Sequence, residues 1–302
     1  MVIRATKTEE AIRQMLEADQ GNLFRTLLKK HILNQEDAYR AVESPFREHL
    51  GASLIGRQCS RSLWMSFRWC HKASHSGRMI RLFNRGHLEE ARFVALLEMI
   101  GCTVYQVDEN GEQYKISDHN GHYGGSLDGV VWGCPDIPEK YIISEFKTHN
   151  DKSFKKLLES GVREVKPEHY AQMQQYMGKN ELEFALYLAV NKNDDDIYGE
   201  IIPFDKNTYR SDLIRACTII NDPSPPDRIY NGPGFYKCRF CDHYGICQEQ
   251  VAPDVNCRTC RWSTPVKNGE WICESPHNNG PVKIVDALLP CSHYTEHPEI
   301  RS

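Results

Sequence analysis

The sequence predicts an α/β fold with a helical N-terminal region and a small cysteine-rich C-terminal module. Three observations carry that prediction. Apolar residues recur at helical spacing near the N-terminus, at Ile12, Met15, Leu16, Leu23, Leu27 and Leu28. Short apolar runs bounded by Gly, Asp and Pro follow between residues 103 and 203. After Lys237 regular periodicity fades and cysteines cluster.

In chain order, residues 1–52 read as a region of two or three helices. Leu54–Trp69 holds Cys59, Trp64, Phe67 and Trp69 among Arg57, Arg61 and Arg68. Residues 86–100 form a helix pattern that Gly101 can terminate, because glycine accepts the left-handed conformation past a helix end. Strands are expected at Thr103–Val107, Gly125–Trp132 and Tyr141–Phe146. Pro167 suits the first turn of a helix reaching about Gly178, since its missing N–H has no partner to lose there. Glu183–Val190 and Tyr198–Pro203 read as paired strands, 207–220 as a helix, and 221–234 as a loop. Boundaries near 52 and 250 divide the chain into an N-terminal region (1–52), a central domain (53–250) and a module (251–302).

The bulk numbers bound the function weakly. Of 302 residues 40% are hydrophobic, enough for a core, and 26% are charged with a net charge of −4. That balance lacks the basic excess frequent in nucleic-acid binders, so local charge matters more. No run approaches the roughly 20 apolar residues of a membrane span, and the N-terminus lacks the apolar stretch of a signal peptide. The expected compartment is a reducing cytoplasm, without membrane association. Twelve cysteines there point to metal ligation rather than disulfides.

Three segments hold a chemistry-bearing order: GGSLDGVV with Asp128, ISEFKT with Glu145 and Lys147, and HYAQMQQYM with Gln172 and Tyr176. Phosphodiester hydrolysis needs a cation to polarise the phosphate and acidify a water. Hard ions such as Mg²⁺ take a few carboxylate oxygens and keep several waters. On a strand Glu145 and Lys147 share one face and Phe146 takes the other. Lys147 then stands beside an attacking water, and Asp128 on a neighbouring strand end can converge with Glu145. Alone, Glu145–Phe146–Lys147 also fits a solvated strand face. Gln172 and Tyr176, four apart, share a helix face, as they would in any amphipathic helix. Glu90 shares a helix face with Phe93, Val94 and Leu97, where a carboxylate is costly unless paired or metal-bound. Glu89 is the competing choice, with Arg92 as its simple partner.

The order Gly86/Glu90, Asp128, Glu145/Lys147, Gln172/Tyr176 resembles the RecB-like branch of the PD-(D/E)XK nucleases over about residues 53–250. Leu127 stands where that superfamily's name has proline, and Glu90 where the branch often has histidine. The resemblance implies a restriction-endonuclease-like mixed sheet flanked by helices. It also implies a Mg²⁺ or Mn²⁺ site at Glu90, Asp128, Glu145 and the Phe146 backbone carbonyl. The implied activity is DNA hydrolysis, as in phage-encoded exonucleases, which would place the protein in a host cytoplasm beside a recombination or replication protein.

Cys238, Cys241 and Cys247 give C-x2-C-x5-C, with Cys59 as the candidate fourth thiolate. One cysteine before the core and three after it resemble the iron–sulfur nucleases of CRISPR adaptation, which implies a [4Fe–4S] cluster. Zinc suits the same four thiolates, and incidental buried thiols are the plain alternative. Cys257, Cys260, Cys273 and Cys291 resemble a zinc-ribbon-like hairpin binding Zn²⁺, with His277 and His293 as rival ligands. A tail that small needs such a staple. Trp262 and Trp271 speak against the other reading, a disordered tail. Cys70, Cys102, Cys134 and Cys217 are left as core or incidental thiols.

Arg61, Arg85, Lys152, Lys155 and Lys156 are candidate phosphate contacts, with Arg57, Arg68 and Arg81 nearby. Trp64, Phe67 and Trp69 could stack on bases or pack internally. The reading is an exonuclease of low sequence specificity acting on single- or double-stranded DNA ends. Its rivals are a structure-specific or single-strand endonuclease, a non-enzymatic iron–sulfur DNA-binding protein, and a metal- or redox-sensing regulator.

Overall fold

The computed structural model describes residues 2–20, 22–34, 46–230 and 235–301. Residues 35–45 of the expected N-terminal helical region and 231–234 of the expected loop lie outside the described residues. The chain divides into two compact units, each drawn from separated stretches. The first comprises Met1–Glu43, His75–Ile116 and Ser126–Tyr209; the second comprises Ser44–Ser74, Ser117–Gly125 and Arg210–Ser302.

In the first unit α1 (Thr6–Asp19) and α2 (Asn22–Asn34) precede α3 (Gly77–Met99). Ser76 caps α3 by accepting the Met79 N–H at 3.3 Å, so the helix begins nine residues before the expected start at 86. Past its C-cap Ile100 the chain turns at Gly101, whose φ is +91°. There the Gly101 N–H bonds the Glu98 carbonyl and the Cys102 N–H bonds the Leu97 carbonyl. These bonds satisfy two carbonyls that a helix end otherwise leaves orphaned.

A five-stranded sheet follows: β1 (Thr103–Tyr105), β2 (Gly129–Trp132), β3 (Ile142–His149), β4 (Phe184–Asn191) and β5 (Ile197–Pro203). The spatial order is the chain order, and every pairing is antiparallel except β3 with β4. That parallel pair requires a crossover. It is made by α4 (Asp151–Val165) and α5 (Pro167–Asn180). The α/β class and the mixed sheet agree with the sequence expectation.

One expected strand is broken. Gly125–Trp132 is interrupted at Leu127–Asp128, leaving a separate strand at Tyr123–Ser126. The β2–β3 ladder stops at Gly129 opposite Ser144. Beyond it an Asp128 carboxylate oxygen, in place of a strand carbonyl, accepts the Phe146 N–H at 2.8 Å.

The sheet's two faces differ. Phe146 is 4% exposed and stacks on Phe93 of α3 with ring centroids 5.1 Å apart. Val94, Leu97, Val131, Ile142, Leu186, Leu188 and Ile201 fill the same core, and Ile12 of α1 joins them. Removing Phe146 would open a cavity in a layer packed like a crystal. Phe146→Ala is therefore expected to cost about 3–5 kcal/mol. A lowered urea midpoint at unchanged slope would show it; a loss below about 0.5 kcal/mol, typical of a surface site, would contradict this packing.

In the second unit the helix Ser60–Phe67 is capped by Cys59, whose sulfur accepts the Ser62 N–H at 3.4 Å. A small antiparallel sheet pairs Trp271–Cys273 with Ser263–Pro265 and Val282–Lys283. Trp64, Phe67, Trp69 and Trp271 are buried. The Arg258 guanidinium lies over the Trp69 ring at 3.7 Å. No described helix is long and apolar enough to cross a membrane.

Candidate active site

The face of β3 opposite Phe146 presents Glu145, Lys147 and His149, as strand alternation requires. Register places Tyr187 of β4 beside Glu145. Glu145 is fully buried, and neither carboxylate oxygen accepts a hydrogen bond of ordinary geometry. Its one compensation is an ion pair with the Lys147 ammonium, which also lies 3.8 Å from Asp128 Oδ2. Burial pushes the Glu145 carboxyl up to about 8; Lys147 opposes this, while Asp128 and Glu90 add to it. Burial likewise raises Asp128, against the pull of Lys147. Lys147 is raised by Glu145 and Asp128 despite the cost of burial, so it keeps its charge.

Glu90 sits on α3 with its carboxylate 3.7 Å from His87 Nδ1, and its charge is felt at both Asp128 and Glu145. Glu89 turns away to pair with Arg92 at 3.1 Å. Gln172 donates to the Tyr176 hydroxyl at 3.0 Å, and both are buried on α5. Burial, then the charges of Glu145 and Asp128, raise the Tyr176 phenol, so it stays protonated as a hydrogen-bond donor. The six residues expected at the catalytic centre thus all lie in the first unit, tied by contact or charge.

Among the described residues no three His, Cys, Asp or Glu side chains are gathered closely enough to hold one ion. The donor chemistry nevertheless fits a hard cation. Two carboxylates share a single ammonium, and the deeper one has no other polar partner, a costly arrangement without a further positive charge. The Phe146 main chain runs between Glu145 and Lys147, with its N–H already held by Asp128.

The expected phosphate contacts divide. Arg85 on α3 and Lys152, Lys155 and Lys156 on α4 are exposed. Lys155 pairs with Asp151 at 2.9 Å, and Arg85 donates to the Lys192 carbonyl at 3.2 Å. Arg61 requires a correction. It is 4% exposed, and its guanidinium donates to the carbonyls of Pro226, Glu299 and Ile300 at 3.0–3.1 Å. Arg68 is buried too, donating to the Ser263 carbonyl at 3.2 Å. Trp64 and Trp69 spend their indole N–H groups on the Asp222 and Arg47 carbonyls, so they are core rather than stacking platforms.

Both cysteine sets fall in the second unit. Burial raises the Cys238 thiol, and Cys59, Cys241 and Cys247 stand close enough to raise it further. Burial pushes Cys257 up to about 11, with Cys260, Cys291 and Cys273 adding to the effect. Among the described residues, in neither expected set are three of the cysteines gathered closely enough to hold one ion. His277 and His293 stack on each other with centroids 4.0 Å apart.

Other polar residues gather beside the carboxylates: His149, Ser153, Lys166, His169, Tyr187 and Lys192. Two carried a readable signal. His149 lies two residues after Lys147 on the same strand face, and His169 three before Gln172 on the same helix face. His149 Nε2 and His169 Nδ1 flank the Tyr187 hydroxyl at 2.7 and 2.9 Å. Burial lowers His149 to about 3 and His169 to about 2, so both imidazoles are neutral.

No family model matches the sequence, and no curated protein sequence matches it. Similar solved structures include LHK-Exo in complex with dAMP, at 17% identity and a TM-score of 0.42, covering 57% of this chain and 86% of that one. A second is the alkaline exonuclease LHK-Exo from Laribacter hongkongensis, at 15% identity and 0.40, with the same coverages. A third is SSO0001, at 18% and 0.37, covering 77% of this chain and all of that one. At such TM-scores these likenesses carry no weight for the function.

Proposed function

We propose that this protein is a divalent-metal-dependent DNA nuclease that hydrolyses phosphodiester bonds from strand ends with little sequence preference. The observation that carries the reading is Glu145. It is a fully buried carboxylate that accepts no hydrogen bond of ordinary geometry, is ion-paired to Lys147 through one oxygen, and faces Asp128. An enzyme that merely needed a stable strand would gain by an apolar residue there, because a buried ion pair rarely repays its desolvation.

Asp128, Glu145 and the Phe146 carbonyl would hold Mg²⁺ or Mn²⁺, with Glu90 close by. A bound ion supplies Lewis acidity toward the phosphate and a more acidic water. Lys147, held charged between the two carboxylates, orients the attacking water and steadies negative charge gathering on the phosphate oxygens. Gln172 fixes the Tyr176 hydroxyl, whose proton remains available to a phosphate oxygen. Arg85, Lys152, Lys155 and Lys156 offer exposed charge that holds a backbone without reading bases.

The two cysteine sets serve the fold of the second unit. Thiolates of Cys59, Cys238, Cys241 and Cys247 suit a [4Fe–4S] cluster, and those of Cys257, Cys260, Cys273 and Cys291 suit Zn²⁺. Anaerobically purified protein is then expected to be brown and to contain both iron and zinc; a colourless sample with zinc alone would remove the cluster.

The activity test uses linear and covalently closed circular DNA with Mg²⁺ or Mn²⁺. Digestion of linear DNA alone supports the exonuclease. Cutting of the circle replaces it with an endonuclease. No cleavage of either overturns the proposal.

A further inference from the structure

Beyond the carboxylates the first unit holds a cavity of about 440 Å³. Its lining includes Glu90, Lys147, His149, Lys166, His169 and Lys192, beside Phe83 and other apolar side chains. Among the described residues neither Lys166 nor Lys192 forms an ion pair, although the Glu168 charge is felt at Lys166, so with Lys147 the lining ammonium groups outnumber the lining carboxylate of Glu90. Both lysines are half-buried, and an anion would replace the water around them with charge-assisted hydrogen bonds.

The imidazoles extend this reading. Ser153 Oγ lies 3.1 Å from His149 Nδ1, His149 Nε2 lies 2.7 Å from the Tyr187 hydroxyl, and that hydroxyl lies 2.9 Å from His169 Nδ1. In one of its two directions the chain of donors runs outward. Ser153 donates to His149, His149 Nε2–H donates to Tyr187, and Tyr187 donates to His169 Nδ1. Neutral His169 must then carry its proton on Nε2, the nitrogen left for the cavity. Two ammonium groups and one N–H donor together match the oxygens of a phosphate.

We propose that this cavity seats a second phosphate of the DNA strand, held by Lys166, Lys192 and His169 Nε2, so that the neighbouring linkage is fixed over the carboxylates. Ser153, His149 and Tyr187 are positioning residues that set the direction of the His169 donor. The inference rests on the nuclease reading. It adds that one particular phosphate, distinct from the one cleaved, sets the register of cutting. That phosphate is either an internal diester or a terminal monoester, which share the chemistry the cavity recognises.

The test is fluorescence anisotropy of short labelled single strands in EDTA. Each linkage in turn is replaced by an uncharged methylphosphonate, and each end is made a phosphate or a hydroxyl. Wild-type protein should lose about tenfold in affinity when one particular phosphate is neutralised or removed, the worth of a charge-assisted contact. Which phosphate responds tells the internal from the terminal source. In Lys192→Gln and Tyr187→Phe that same replacement should change affinity less than about twofold, because the contact is already gone. Gly86→Leu supplies a variant without loss of a polar group. Gly86 lines the cavity, and a Cβ added there meets nothing within 4 Å, so the larger side chain fills the seat rather than the core. It too should erase the discrimination. A penalty spread evenly over all phosphates, or one that persists undiminished in all three variants, overturns the subsite while leaving a wild-type nuclease standing. Wild-type protein that neither binds nor cleaves DNA overturns both.

Discussion

Lys147→Ala is expected to lower the rate of DNA cleavage by about 10²- to 10⁴-fold, the usual contribution of a group that handles a proton or steadies charge at the reacting centre. Asp128→Ala should lose at least as much, because Asp128 also fixes the Phe146 N–H and with it the strand that carries Glu145 and Lys147. The two variants separate in stability. Removing Lys147 leaves the fully buried Glu145 facing Asp128 with no cation between them. Above about pH 8, where Glu145 is ionised in the metal-free protein, breaking a buried pair in this way costs about 3–5 kcal/mol, so there Lys147→Ala should melt well below wild type. Activity is to be read under single-turnover conditions at a temperature where both variants remain folded by circular dichroism. Cleavage within about tenfold of wild type in either folded variant, too little for the roles assigned, would remove that residue from the centre.

Glu145→Gln is expected to do the opposite to stability while also abolishing cleavage. Burial raises the Glu145 carboxyl from 4.5 to about 8. The folded protein therefore holds this proton across a range where the unfolded chain has released it. Between about pH 4.5 and 8 the folded state binds more protons, so stability falls as pH rises, and the penalty is fully present above about 8. A glutamine escapes that penalty. In EDTA at pH 8.5 the variant should melt several degrees above wild type, since each tenfold difference in proton affinity between the folded and unfolded chain is worth about 1.4 kcal/mol. Near pH 4.5 the difference should shrink. Adding Mg²⁺ or Mn²⁺ should reverse the order at high pH, because a cation that binds only the folded wild type stabilises it by mass action. Equal melting temperatures at both pH values would mean that Glu145 is better solvated than its burial implies.

Much of this site is legible in the sequence, because it rests on short-range periodicities. Strand alternation puts Glu145 and Lys147 on one face and Phe146 on the other, and the Phe93–Phe146 stack sits where that alternation sends it. Helix spacing joins Gln172 to Tyr176. Arg92 claims Glu89 as local pairing predicts, but Glu89 is the more buried of the two and Glu90 the more exposed, the reverse of what the apolar-face pattern suggests. The rest depends on partners distant in sequence. The break at Leu127–Asp128 is invisible in GGSLDGVVW, because it arises when Asp128 takes an amide from another strand. Arg61 resembles a phosphate contact in sequence because its neighbours are cationic and aromatic; only the fold supplies the three carbonyls that bury it. Tyr187 cannot be joined to His149 and His169 without the parallel register of β3 and β4, and no local pattern encodes register across a crossover.

The central claim, that Asp128 and Glu145 jointly hold the cation that makes this site hydrolytic, is tested most directly by Mn²⁺ binding to DNA-free protein, followed by electron paramagnetic resonance. Wild-type protein should bind Mn²⁺ saturably, and Asp128→Ala and Glu145→Gln should each abolish that binding while remaining folded. Wild-type protein that leaves all Mn²⁺ free, or variants that bind it as wild type does, would contradict the account.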